Sequence, residues 1–139
     1  MLSSTQRPVG QLRSRPDRRI PTVCVVDPQV EDWEWLAQET GVRFQIVASA
    51  EDALRLARTA AVDLWVVNTA LPGLSSFELC GMLRSRSRHT AVYLVSQEYS
   101  VEAERRAWQA GATLFGCKPP QAAWLPIVEL LPRPLNRRR

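Results

Sequence analysis

The chain has 139 residues, of which 45% are hydrophobic, and this length and composition are typical of one globular domain. Its net charge of +4 is concentrated at the ends: residues 1–20 contain five Arg and one Asp, and residues 121–139 contain four Arg and one Glu. The centre, 21–120, is left with nine basic and twelve acidic residues, so the basic character belongs to the ends. No apolar run approaches the roughly 20 residues that span a bilayer, which argues against a membrane protein.

We expect three regions along the chain. Residues 1–20, rich in Arg, Pro, Ser and Gln, are predicted to form a disordered basic tail, residues 21–131 the folded domain, and residues 132–139 a second basic tail. The first residues lack the apolar stretch of a signal peptide, and the three scattered cysteines suit buried, reduced thiols better than a disulfide framework. These features predict a cytoplasmic protein.

Short apolar runs alternate with helical patterns through the central region. The runs predict strands at 22–27, 43–48, 63–68, 91–96 and 112–117, and the other segments predict helices at 30–40, 50–60, 76–86, 101–110 and 121–131. Helix starts are marked by possible N-caps and helix ends by glycines: Ser49, Ser75, Ser100, Gly41 and Gly111. Such alternation indicates an α/β fold, a five-stranded parallel sheet with helices on both faces, and five strands of this size suit the order 2-1-3-4-5.

Four of the predicted strands end on, or just before, a polar residue: Asp27, Asn68, Ser96 and Lys118. Parallel sheets bind ligands beyond the carboxyl ends of their strands, near a switch in strand order, which here falls between the first and third strands. We therefore expect a carboxylate, an amide, a hydroxyl and an ammonium to share one pocket.

Several short segments, taken together and in order, are similar to those of a known family. They are Val25-Val26-Asp27, Asp63-Leu64-Trp65-Val66-Val67-Asn68, Leu71-Pro72-Gly73, Val95-Ser96, Ala110-Gly111-Ala112 and Lys118-Pro119. With these segments, residues 22–120 resemble the receiver domain of bacterial two-component response regulators. The resemblance implies a flavodoxin-like receiver fold and a role in phosphorelay signal transduction.

The resemblance also implies roles for the polar rim. In receivers, an Asp after strand 3 accepts a phosphoryl group from a histidine kinase, two acidic residues after strand 1 help to hold Mg²⁺, and a Ser or Thr and a Lys contact the phosphoryl oxygens. By position, Asn68 stands at the acceptor, Asp27 is the first acidic residue and Pro28 replaces the second. Ser96 and Lys118 match the hydroxyl and the lysine. Phe115 matches an aromatic residue that changes rotamer on phosphorylation.

The substitutions at Asn68 and Pro28 should both remove the family's chemistry. A carboxamide has no anionic oxygen with which to attack phosphorus, so an acyl phosphate is not expected at Asn68. Mg²⁺ usually needs one or two carboxylates, and two of the family's three are missing here. Asp27 and Lys118 already sum to zero charge, and the Asn68 amide can hydrogen-bond to both. We expect no catalytic activity, no cofactor, and weak or absent Mg²⁺ binding.

Plainer interpretations of the same residues stay open. Asn68 could be a strand-end residue without consequence, and Phe115 could fill the core instead of switching. Ser96 could be a remnant of the site or an ordinary strand-end hydroxyl. His89 could be a phosphorelay histidine, although an exposed loop histidine is the simpler reading.

A partner surface is also suggested. In receivers, the face formed by the last strand and the last two helices commonly contacts other proteins, and Arg105, Trp108 and Trp124 could lie there. Aromatic residues and Arg are enriched in interface cores, although large side chains also lie half-buried beside helices.

Three functional hypotheses follow. The first is a stand-alone, degenerate receiver that is not phosphorylated and acts by protein–protein contact, with a histidine kinase or another signalling protein as partner. The second is a receiver phosphorylated at a non-standard acceptor, Ser96 or Thr69. The third is a nucleic-acid binder that uses the Arg-rich tails on a receiver scaffold; solvated tails are the simpler expectation, because no nucleic-acid-binding module is present.

Overall fold

The structure is a computed structural model that describes residues 20–38, 41–87 and 89–117. In these residues strands alternate with helices: β1 (Thr22–Val26), a 3₁₀ helix η1 (Val30–Gln38), β2 (Arg43–Val47), α1 (Ala50–Thr59), β3 (Leu64–Asn68), α2 (Ser76–Arg86), β4 (Ala91–Ser96), α3 (Val101–Gln109) and β5 (Leu114–Cys117).

The five strands form one parallel sheet in the order β2-β1-β3-β4-β5, which confirms the predicted architecture and strand order. β1 pairs with β2 on one side and with β3 on the other. The chain therefore runs outward from β1 to β2 and then crosses back past β1 to β3, which is the switch in strand order. In register, Val26 lies opposite Val47 of β2 and Val67 of β3, and Asn68 lies opposite Val95 of β4. Asp27 and Asn68 therefore follow neighbouring strands at the same edge of the sheet.

Apolar residues fill both faces of the sheet, because alternate side chains of each buried strand point to opposite sides. On one face, Cys24, Trp65 and Leu94 pack with residues of α1, α2 and α3. On the other face, Val25 and Val66 pack with residues of η1. Helices thus cover both faces, and β3 is buried along its whole length.

The first helix differs from the prediction of an α-helix over 30–40: Val30–Gln38 forms a 3₁₀ helix. Burial in it repeats every three residues, with Trp33 and Leu36 buried while Glu31 and Glu34 are exposed. A 3₁₀ helix has three residues per turn, so positions three apart lie on the same face. This winding directs Trp33 and Leu36 together against the sheet.

Serine side chains cap the three α-helices as predicted. Ser49 accepts from the backbone N–H of Asp52 at 3.1 Å, and Ser100 accepts from that of Ala103 at 2.9 Å. Ser75 accepts from the backbone N–H of Phe77 at 3.1 Å. These bonds satisfy donors that the first helical turn leaves unpaired.

Some predicted features lie outside the described residues: the helix at 121–131, nearly all of the N-terminal tail, the C-terminal tail, Lys118 and Trp124. Within the described ranges, every helix is too short or too polar to cross a membrane.

Candidate functional site

Asp27 follows β1 and is fully buried. Its backbone N–H donates to the oxygen of Val47 at 2.9 Å, which extends the β1–β2 pairing to the rim. Among the described residues, its carboxylate accepts through Oδ1 from the Gln29 backbone at 2.9 Å and the Asn68 amide at 3.0 Å, and through Oδ2 from the Trp33 indole at 2.8 Å. Burying a carboxylate is costly unless donors replace water, and these donors contribute to that replacement.

Asn68 ends β3, is 6% exposed, and uses both ends of its amide. Nδ2 donates to Asp27, while Oδ1 accepts from the backbone N–H of Ala70 at 2.7 Å. The Ser76 hydroxyl donates to the backbone oxygen of Asn68 at 2.5 Å, which ties the start of α2 to the rim. The amide orientation follows from these partners, because only nitrogen can donate to the carboxylate and only oxygen can accept from Ala70.

Trp33 is a member of this site that the sequence did not reveal. The apolar pattern indicated only that its side chain could face the core. It is 1% exposed, and its ring stacks with that of Trp35 at a centroid distance of 6.4 Å. The sequence signal that could have identified it is a tryptophan, with its single N–H donor, placed six residues after a strand-ending carboxylate.

The polar rim thus lies where receivers carry theirs, at the carboxyl ends of the first and third strands of a 2-1-3-4-5 sheet. The family model described as response regulator receiver domain matches residues 23–126. The chain belongs to this family. It is therefore a receiver domain, the response-regulator module of two-component signalling.

Solved structures of other receivers share the fold. The CheY-like response regulator receiver domain protein of Methanospirillum hungatei has a TM-score of 0.73 and 21% identity, with 80% of this chain and 93% of that one covered. The chemotaxis response regulator CheY4 of Vibrio cholerae has a TM-score of 0.73 and 22% identity, with 81% and 100% covered. The BeF3-activated receiver domain of DrrB, a Thermotoga maritima protein, has a TM-score of 0.71 and 24% identity, with 81% and 97% covered. None of the curated proteins matches this chain.

The rim residues do not fit the Mg²⁺ ion that the resemblance implies. Pro28 offers no side-chain ligand and is exposed, and the Asn68 amide presents its N–H, not its oxygen, to Asp27. Both Asp27 oxygens already accept N–H groups. In residues 20–38, 41–87 and 89–117, no three His, Cys, Asp or Glu side chains are grouped so that they could hold a metal ion.

Ser96 ends β4 at the same edge of the receiver's sheet but turns to its own loop. Its hydroxyl donates to the backbone oxygen of Glu98 at 2.7 Å. The neighbouring candidate, Thr69, is held through its backbone N–H, which donates to Val95 at 2.8 Å. Of the four predicted rim residues, the described structure brings Asp27 and Asn68 into contact, while Lys118 lies outside the described residues.

Phe115, at the position of the receiver's switch aromatic, lies in β5 and is partly buried against the core cluster under α2 and α3. Its ring meets that of Tyr99 edge-on, with 6.4 Å between centroids and 63° between planes. This contact links the core to the exposed surface beside α3.

That surface carries three large exposed side chains, Tyr99 at 59%, Val101 at 60% and Trp108 at 46%. The Tyr99 hydroxyl donates to Glu104 Oε1 at 2.6 Å, and the Trp108 indole donates to Glu104 Oε2 at 3.3 Å. The hydrogen bond to Glu104 raises the pKa of Tyr99, because the carboxylate favours the protonated phenol. Of the predicted interface residues, Arg105 and Trp108 are both exposed, and Trp124 lies outside the described residues.

His89, the third residue considered for phosphorelay, lies far from the rim. It is exposed and lines a groove of about 500 Å³ with Val62 and Thr90, which precede β3 and β4. The groove is therefore at the opposite edge of the sheet from Asp27 and Asn68.

Proposed function

We propose that this receiver is not phosphorylated at its third strand and that it acts through protein–protein contact. The observation that carries the proposal is the Asn68 amide, whose nitrogen donates to buried Asp27 and whose oxygen accepts from Ala70.

The chemistry of the amide supports the absence of phosphotransfer. An acyl phosphate forms when a carboxylate oxygen attacks phosphorus, and a carboxamide has no anionic oxygen for that attack. The Asn68 oxygen also already accepts a hydrogen bond at 2.7 Å from the loop backbone, which uses one of its two lone pairs. The pocket holds its shape through side-chain and backbone bonds that need no phosphoryl group.

The surface beside α3 supports contact with a protein partner. Tyr99, Val101 and Trp108 present apolar area, and the Tyr99 and Trp108 side chains are each hydrogen-bonded to Glu104. Aromatic side chains with a polar tip suit interface cores, because they bury a large area at low entropic cost. A histidine kinase or another signalling protein is the class of partner that the family favours.

Phosphotransfer is tested with the full-length chain, acetyl phosphate and Mg²⁺, followed by intact mass. A receiver with an acceptor aspartate in the same tube serves as the positive control. We expect a phosphoryl adduct on the control and none on this chain. An adduct that maps to Ser96 or Thr69 would support the alternative of a non-standard acceptor, and an adduct at Asn68 would contradict the proposal outright.

The contact surface is tested by pull-down with the native chain, Trp108→Ala and Met82→Ala. Met82 is a matched control because it is 42% exposed but lies on α2, whereas Glu104 lies on α3. We expect the partner captured by the native chain to be lost with Trp108→Ala and retained with Met82→Ala. Equal capture by all three chains would exclude this surface.

A further inference from the structure

The two oxygens of the Asp27 carboxylate are held by different parts of the receiver. Oδ1 accepts from the Gln29 backbone and the Asn68 amide, and Oδ2 accepts from the Trp33 indole at 2.8 Å. Asp27 is 0% exposed and Trp33 is 1% exposed, so water does not compete for this bond. The indole N–H is therefore a buried donor to the carboxylate oxygen that does not accept from the Asn68 amide.

We propose that Trp33 is a built-in replacement for the divalent cation of the receiver pocket. Its N–H presents a partial positive charge to Asp27 Oδ2, where a metal ion would have to approach that oxygen. Mg²⁺ binds oxygen at about 2.0–2.1 Å and tolerates little distortion, so it could not take the position on Oδ2 that the indole N–H occupies. Trp33 thus weakens cation binding at Asp27, independently of Asn68 and Pro28.

The surroundings of Trp33 keep the indole in place. The ring packs in the cluster that contains Val25 and Val66, and it stacks with Trp35. The three-residue repeat of η1 directs Leu36 to the same face, so withdrawal of the indole would disturb both buried side chains. A cation that approached Oδ2 from the side of the indole would have to displace a packed core residue and not merely a loosely held water.

Asn68 and Trp33 act on different parts of the receiver chemistry. Asn68 removes the acceptor of the phosphoryl group, whereas Trp33 removes the place of the metal ion. A chain that took up phosphate without metal would contradict the first statement alone, and a metal affinity that did not change when the Trp33 N–H was removed would contradict the second alone.

The test restores both missing carboxylates and then varies only the indole. Pro28→Asp/Asn68→Asp is compared with the same pair plus Trp33→Phe, which keeps an aromatic ring but lacks the N–H. Mn²⁺ is titrated into each full-length chain, and free Mn²⁺ is followed by electron paramagnetic resonance. We expect the Trp33-containing variant to bind at least about tenfold more weakly. Equal affinities, including no binding by either, would overturn the proposal.

Two further measurements guard against effects on folding. Trp108→Phe in the same background is the matched control, since Trp108 is 46% exposed and bonded to Glu104, and it should leave Mn²⁺ affinity unchanged. In the native chain, the Trp33 indole proton should exchange with deuterium far more slowly than that of Trp108, and millimolar Mn²⁺ should not broaden its resonance. Rapid exchange, or broadening at Trp33, would also overturn the proposal.

Discussion

The side-chain amide of Asn68 donates a 3.0 Å hydrogen bond to the carboxylate of Asp27, although the two residues are 41 positions apart. The bond crosses from β3 to β1, the two strands that flank the switch in strand order. Receivers place like charges and a metal ion in this region, whereas here a neutral donor meets one carboxylate. The bond therefore joins the ends of β3 and β1 through the chain's own side chains.

Asn68→Asp is expected to destabilise the fold at pH 7 by about 2 kcal/mol, because it removes a buried donor and places a second carboxylate against Asp27. Repulsion makes one carboxyl of the folded pair retain its proton above the unfolded value of about 4, so the folded state binds more protons. The loss should therefore grow as the pH rises through 4 and shrink as it falls. Urea unfolding at pH 7 and pH 5 measures this difference.

The matched control for that prediction is Asn68→Ala, which removes the same donor without adding a charge. Its loss of stability should depend less on pH than that of Asn68→Asp, because no second carboxylate is added. If Asn68→Asp behaves like Asn68→Ala at both pH values, repulsion between the two side chains is not the cause.

Much of this site could be predicted from local sequence patterns. Strands buried on both faces have nearly continuous apolar runs, and Val23–Val26 and Leu64–Val67 have that pattern. The carboxyl-end rule for parallel sheets then placed Asp27 and Asn68 together. The observed strand bounds differ from the predicted ones by no more than two residues. The largest difference is at β5, which begins at Leu114 and not at residue 112.

The contribution of Trp33 could not be predicted in the same way. Helical periodicities of 3.0 and 3.6 are hard to separate over nine residues, so the segment suggested an α-helix. The indole direction depends on the 3₁₀ winding and on a bond to a residue in another element. The Ser96 hydroxyl is similar, since its turn toward Glu98 is set by the loop and not by its own strand.

Glu104→Gln is expected to lower the pKa of Tyr99. The hydrogen bond to the Glu104 carboxylate is the main cause that raises this pKa, and a neutral amide holds the phenol proton less strongly. The chain has two tyrosines, and burial raises the pKa of the other, Tyr93. An alkaline titration of tyrosinate absorbance should show one group moving to lower pH. Tyr99→Phe assigns the remaining group, and an unchanged titration in Glu104→Gln would contradict the hydrogen bond.

Thiol labelling should distinguish the three cysteines. Burial raises the pKa of Cys24 to about 12 and that of Cys80 to about 11, whereas Cys117 is partly exposed. Thiolates are the reactive form, so iodoacetamide at pH 8 should modify Cys117 first in the folded chain. Peptide mapping by mass spectrometry measures the order. All three should react in urea, and rapid labelling of Cys24 without denaturant would contradict its burial.

The same thiol shifts predict the alkaline limit of stability. The folded pKa of Cys24, about 12, lies above its ordinary value of 9.0, so the folded state keeps a proton that the unfolded state loses. The contribution of the Cys24 thiol to the free energy of unfolding should be constant below about pH 9 and should fall as the pH rises toward 12. Denaturation midpoints at pH 8 and pH 10 measure the slope. Cys24→Val lacks this thiol and should show a shallower fall; an equal fall would assign the slope to other groups.

Gly116→Ala is expected to cost about 1–3 kcal/mol, because overpacking forces buried groups apart. A Cβ at this position would lie 2.5 Å from the Tyr93 hydroxyl oxygen and 3.2 Å from two atoms of its ring. Tyr93 is 2% exposed, so the ring has little room to move. Tyr93→Phe removes the nearest atom, and Gly116→Ala should cost less in that background when unfolding free energies are compared in a double-mutant cycle.

Gly81→Ala is the control: it lies within α2, its nearest atom would be 4.0 Å away, and alanine favours the helix by about 0.5–1 kcal/mol. Additive costs for Gly116→Ala and Tyr93→Phe would show that the hydroxyl is not what the new methyl group meets.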